Sequence, residues 1–129
     1  MTQSISKNKS LLNQSSEKRF EHFVKRVADI KVVWLLHDSQ GICLFGDSEE
    51  KEYIPVWPSE EAAKANAIED WEKYQATSIK LDTWMSEALM DLQNQDISIA
   101  VFPVRDLPCV VIKPLYLRDA IQEELDKIE

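Results

Sequence analysis

Apolar side chains in residues 16–30 fall at Phe20, Phe23, Val24, Val27 and Ile30, with Lys18, Glu21, Lys25 and Arg26 between them, a spacing that predicts an amphipathic helix. Ser15 or Ser16 is expected to cap it, with Glu17 favourable in the first turn. The pattern then changes. Residues 32–36 (VVWLL) are apolar throughout and predict a strand, residues 38–41 (DSQG) a turn, and residues 42–45 (ICLF) the returning partner of a hairpin. Residues 52–57 (EYIPVW) resume an extended run, and Pro55, which cannot donate to a ladder, places that strand at a sheet edge. Pro58 ends it. Ser59 is expected to cap a second helix over 60–74, with Glu60 and Glu61 in its first turn and a face of Ala62, Ala63, Ala65, Ala67, Ile68 and Trp71.

Residues 78–81 (SIKL) alternate as a short strand, and Asp82 is expected to cap a third helix whose stripe is Trp84, Met85, Ala88, Leu89 and Leu92. Residues 97–102 and 109–112 predict two strands joined across Pro103 to Pro108, and a fourth helix from Pro114 buries Leu117, Ile121, Leu125 and Ile128. The order αβββα(β)αββα predicts an α+β domain of four helices on a mainly antiparallel sheet of five to six strands. One domain over 15–129 is expected after a flexible leader, 1–14. The runs VVWLL and CVVI suit strands covered on both faces, so either helices cover both or a second copy covers one; a homodimer through a sheet face or edge follows from the latter.

Charge narrows the possible partners. The 129-residue chain carries a net charge of −8, which opposes a sequence-independent hold on nucleic acid or on an anionic membrane surface. The imbalance is uneven: residues 1–30 hold 6 basic and 3 acidic side chains, and residues 31–129 hold 9 and 20. No apolar run reaches the length needed to span a bilayer. Two cysteines without paired spacing or a secretory leader fit a reduced, cytoplasmic protein.

Catalytic constellations are sparse. His22 falls at the border of the first helix's apolar stripe and His37 at the end of a strand. A Cys43, His37, Asp38 cluster can be drawn across the hairpin, but a reactive thiol needs an electropositive setting and these neighbours are acidic and apolar. The acidic run 47–52 lacks the internal glycine and the length of a calcium loop, and thiolate or imidazole metal spacing is absent. Gly41 and Gly46, the two glycines of the chain, flank one strand and build no phosphate loop. No catalytic residue, metal or cofactor is expected.

Aromatic side chains offer more. Trp34, Trp57, Trp71 and Trp84 each sit within apolar patterns. Trp57, between Pro55 and Pro58 at the end of the expected edge strand, is the one placed to anchor a partner or line a cleft. An exposed Trp57 predicts that Trp57→Ala leaves thermal stability unchanged. Residues 47–72 hold 9 acids against Lys51 and Lys64, and the candidate interaction surface is therefore Trp57, Tyr53, Glu49, Glu50, Glu60, Glu61 and Trp71.

The runs FVKRVAD (23–29), VWLLHD (33–38), PVWPSEEAA (55–63), IKLDTWM (79–85) and IAVFPV (99–104), in that order, resemble a small bacterial domain family of unknown function. The resemblance covers residues 17–126 and implies a bacterial cytoplasmic protein with no assigned activity. Composition points to a non-catalytic interaction module with a basic protein partner, of the type of an acidic inhibitor or immunity protein. The alternative is a small-molecule-binding regulatory domain with a pocket between helix 60–74 and the sheet, lined by Trp57, Trp71 and Tyr53.

Overall fold

The computed structural model describes residues 15–46, 49–105 and 107–128. The expected leader, 1–14, and part of the acidic turn at 47–48 lie outside the described residues. Helix α1, Ser16–Ile30, starts where the sequence places it: the Ser15 hydroxyl accepts from the Lys18 N–H at 3.2 Å. Phe23, Val24, Val27 and Ala28 form its buried face, while Phe20 is half-buried. The helix stops at Lys31, which adopts the left-handed region at φ 66° and donates its N–H to the Val27 carbonyl at 2.9 Å. Glycine usually takes this position; here the Lys31 ammonium folds back onto the Ala28 carbonyl at 2.6 Å, favourable at the negative end of the helix dipole.

Strand β1, Val32–Asp38, pairs antiparallel with β2, Gly41–Ile42, and with β5, Gln75–Lys80. The Asp38 carboxylate accepts from the Gln40 N–H at 2.9 Å, and Gly41 at φ 132° completes the turn in a conformation other residues rarely adopt. A second sheet has the order β3-β4-β6-β7, where β3 is Phe45–Gly46, β4 Glu52–Val56, β6 Ile97–Val101 and β7 Val110–Ile112. The β4–β6 pair is parallel and the other pairs are antiparallel. The expected return strand over 42–45 is thus divided between the two sheets. Trp34 and Trp57 exchange backbone hydrogen bonds at 3.1 and 2.9 Å and tie the sheets together.

Two expectations about β4 are corrected. The strand is central: β6 pairs with all of it, while β3 covers residues 52 and 53 and β1 reaches Trp57. Pro55 falls between those last two contacts, where no neighbouring strand asks for its missing N–H. Trp57 is accordingly fully buried, and Pro55 and Pro58 with it.

Helix α2, Glu60–Ala65, has the expected cap, the Ser59 hydroxyl accepting from the Ala62 N–H at 3.1 Å. It ends at Ala65, nine residues earlier than the apolar pattern predicts. Buried Asn66 closes it by donating its side-chain amide to the Ala62 carbonyl at 2.9 Å and its N–H to the Ala63 carbonyl at 3.1 Å. A short 3₁₀ turn, Glu69–Trp71, follows. Helix α3 spans 81–94 and contains one wide turn, Trp84–Ala88, in which the Leu89 N–H reaches the Trp84 carbonyl. Asp82 lies in its first turn instead of capping it: the helix starts at Leu81, whose N–H donates to the Lys31 carbonyl at 2.9 Å, and Lys80 holds the cap position without a side-chain hydrogen bond. Helix α4, Pro114–Ile128, buries Leu117 and Ile121, but its last turn leaves Ile128 56% exposed.

Among the described residues the fold is α+β with four helices, as the pattern predicts, on two sheets of three and four strands. Phe23, Leu36, Trp57, Trp84, Ile99, Leu117 and Ile121 belong to one core cluster, and each is at most 1% exposed. In VVWLL, Val33, Leu35 and Leu36 are buried and Trp34 is half-buried; in CVVI, Val111 is 49% exposed on the edge strand β7. His22 is half-buried against the Phe102 ring, and burial, assisted by Arg26, pushes its pKa down. No helix among the described residues is long and apolar enough to cross a membrane.

Candidate functional site

Four aromatic rings from three parts of the chain stack in sequence. Tyr53 of β4 lies 5.3 Å from Phe45 of β3, Phe45 5.6 Å from Trp71, and Trp71 6.1 Å from Trp57, the last pair edge-on at 81°. The structure therefore joins Tyr53, Trp57 and Trp71, and the link is Phe45, to which the sequence assigns no role beyond its strand. Above these rings a cleft of about 340 Å³ opens between segment 66–71 and loop 103–105. Phe45, Ile68, Trp71 and Val104 give it apolar walls, and Asn66, Glu69, Asp70 and Arg105 supply the polar side chains. Trp57 and Tyr53 support the cleft from beneath without lining it.

Buried donors hold the loop side in place. The Trp57 indole donates to the Pro103 carbonyl at 3.0 Å. Arg19, 1% exposed, reaches from α1 to donate to the Phe102 carbonyl at 3.2 Å and to the Pro108 carbonyl. An ion pair between Glu69 and Arg105 links the two walls. Glu69 in one wall, at φ 53°, and Phe102 just before the loop of the other, at φ 51°, lie in the left-handed region. Neither is glycine, and such backbone costs of order 1–3 kcal/mol per residue, so the surrounding contacts must hold it.

Among the described residues the lining contains no hydroxyl, thiol or imidazole, so none of them matches a nucleophile with its base. Among the described residues no group of three or more His, Cys, Asp and Glu side chains is placed to hold a metal. The thiol drawn into a cluster with His37 and Asp38 is 1% exposed. Burial pushes the Cys43 pKa up to about 11 against the pull of its Tyr74 hydrogen bond, and Asp38 adds to the rise. Burial also raises the Cys109 thiol, with Arg19 opposing. Two pKa units correspond to a thiolate fraction about a hundredfold lower than in the unfolded chain, so alkylation of Cys43 by iodoacetamide at pH 8 is expected to be slow until urea unfolds the protein. The folded state holds the neutral thiol, so this contribution to stability is intact below pH 9 and declines as pH rises from 9 towards 11. Fast alkylation of native Cys43, read by mass spectrometry, contradicts this.

The acidic members of the expected surface lie elsewhere. Glu49 and Glu50 are exposed in the turn between β3 and β4, and Glu60 and Glu61 in the first turn of α2, where Glu60 pairs with Lys64 at 3.6 Å. None of the four lines the cleft. Trp57 was expected at the surface and is in the core, which withdraws it as an exposed anchor. Arg19, Asn66 and Arg105 are absent from the sequence-based candidates. Arg19 had a legible signal: it precedes Phe23 and Val27 at intervals of four, on the buried line of α1.

The profile of a family described as "Protein of unknown function (DUF2750)" matches residues 20–121. No curated protein and no solved structure matches the chain.

Proposed function

The chain belongs to this family of unknown function, and from the geometry of its cleft we propose that it is a non-catalytic binding domain that holds a segment of a partner protein between residues 66–71 and loop 103–105. The observation that carries this reading is the ring-lined cleft whose loop wall is held by the buried donors Trp57 and Arg19. A preformed apolar recess spares the ordering cost that a floppy surface incurs on association. Exposed Ile68 on one side extends its apolar surface. The acidic run 47–72, with Glu49, Glu50, Glu60 and Glu61, speeds encounter with a basic partner, as in an acidic inhibitor.

Capture from the native host with wild type and with Trp71→Ala tests this. The expected result is one protein retained by wild type and lost by the variant while the circular dichroism spectrum is unchanged. Capture indifferent to Trp71 but released by salt assigns the binding to the acidic surface alone and overturns the role of the cleft. The size of the cleft favours one second reading, since about 340 Å³ lies at the small end of the range for small-molecule pockets. That reading expects a gain in melting temperature with a metabolite and no captured protein.

A further inference from the structure

The polar side chains of the cleft are unevenly matched. Among the described residues, Glu69 and Asp70 supply two carboxylates and Arg105 one cation. Arg105 is engaged by Glu69 across the opening, whereas Asp70 has no hydrogen-bond or ion-pair partner among the described residues. Beside these carboxylates lie the Trp71 and Phe45 rings, and aromatic faces attract cations most strongly where water is partly excluded. Residues 47–72, which include one wall of the cleft, carry a net charge of −7 from 9 acids and 2 lysines. An anionic ligand would meet both carboxylates.

We infer that the cleft takes a cationic side chain of the partner, a guanidinium next to an apolar residue, and that Arg105 is the chain's own placeholder for it on Glu69. This rests on the cleft being the binding site and specifies what it selects. The Glu69 and Arg105 side chains are 63% and 39% exposed, and an ion pair this open contributes little, so an incoming guanidinium exchanges for Arg105 at small cost. The partner gains the ring contact and the Asp70 carboxylate together. The apolar neighbour of the incoming arginine packs against Ile68 and Val104.

Three capped dipeptides separate the possibilities: acetyl-Leu-Arg-amide, acetyl-Leu-norleucine-amide and acetyl-Leu-Glu-amide, titrated into the full chain while the Trp71 indole N–H is followed by NMR. The arginine peptide is expected to shift that resonance and to bind more tightly than the norleucine peptide, which matches its apolar length without the charge. Asp70→Asn is expected to weaken the arginine peptide about fivefold, the scale of a part-exposed charge pair. Arg105→Ala, at an exposed loop position, is expected to strengthen it by removing the competitor. Equal binding of the norleucine peptide overturns the cation inference and leaves the cleft reading standing. Preference for the glutamate peptide makes Arg105 an anion receptor and overturns the inference, and weaker arginine binding in Arg105→Ala overturns it by showing that Arg105 is no competitor for the site. No shift with any of the three removes both.

Discussion

Trp57→Ala is expected to destabilise the protein by about 3–5 kcal/mol, the range for truncating a fully buried large aromatic. The ring supports Trp71 edge-on, its indole N–H holds the Pro103 carbonyl, and its backbone joins the two sheets through Trp34. Alanine keeps the backbone bridge and loses the rest. Trp57→Phe keeps most of the apolar volume and is expected to cost about 1–2 kcal/mol, chiefly for the Pro103 carbonyl left without its donor. Urea denaturation followed by circular dichroism measures both. A loss below about 1 kcal/mol for Trp57→Ala would return the ring to the surface and leave the cleft without its support.

Arg19→Ala is expected to cost about 3 kcal/mol, because two backbone carbonyls, those of Phe102 and Pro108, lose a charged donor in a buried setting. The opposing effect is the desolvation of the guanidinium itself, which disappears with the charge. Arg19→Met retains much of the stem and so separates packing from hydrogen bonding; about 2 kcal/mol of the loss is expected to persist in it. Amide hydrogen exchange should speed up first at Val104, Arg105 and Leu107, in the loop that Arg19 holds. Unchanged exchange there would show that the loop is held by other contacts. Arg19 and Trp57 grip opposite ends of Phe102-Pro103, so Arg19→Met combined with Trp57→Phe should depart from additivity.

Both residues act on a loop that carries one wall of the cleft, and this links stability to the proposed binding. Phe102 at φ 51° is held by its own N–H on the Val56 carbonyl at 2.8 Å, by Arg19 on its carbonyl and by Trp57 on the next carbonyl. Binding loss in either variant at temperatures where it remains folded is the corresponding functional signature.

Helix α1 and its Ser15 cap, the Ser59 cap of α2, the start of α4 at Pro114 and the α+β class were legible from residue order alone. Each depends on neighbours within about four positions, where side-chain periodicity and capping act directly on the backbone. The family of unknown function was legible as a resemblance over most of the chain. What failed were inferences about distant neighbours. Pro55 marks a missing donor, but whether a strand presses on that side depends on β3 beginning only at Phe45, opposite Tyr53, and β1 arriving only at Trp57. The apolar face of 60–74 continues past Ala65, yet Asn66 closes the helix with its own amide. Arg19 falls on the buried line of α1, but the carbonyls of Phe102 and Pro108 that it holds are brought to it only by the fold. The cleft itself joins residue 45, residues 66–71 and residues 103–105. Local periodicity thus determined which elements form, and tertiary packing alone decided which rings are buried and which carboxylates share a cleft, because those are contacts between segments tens of residues apart.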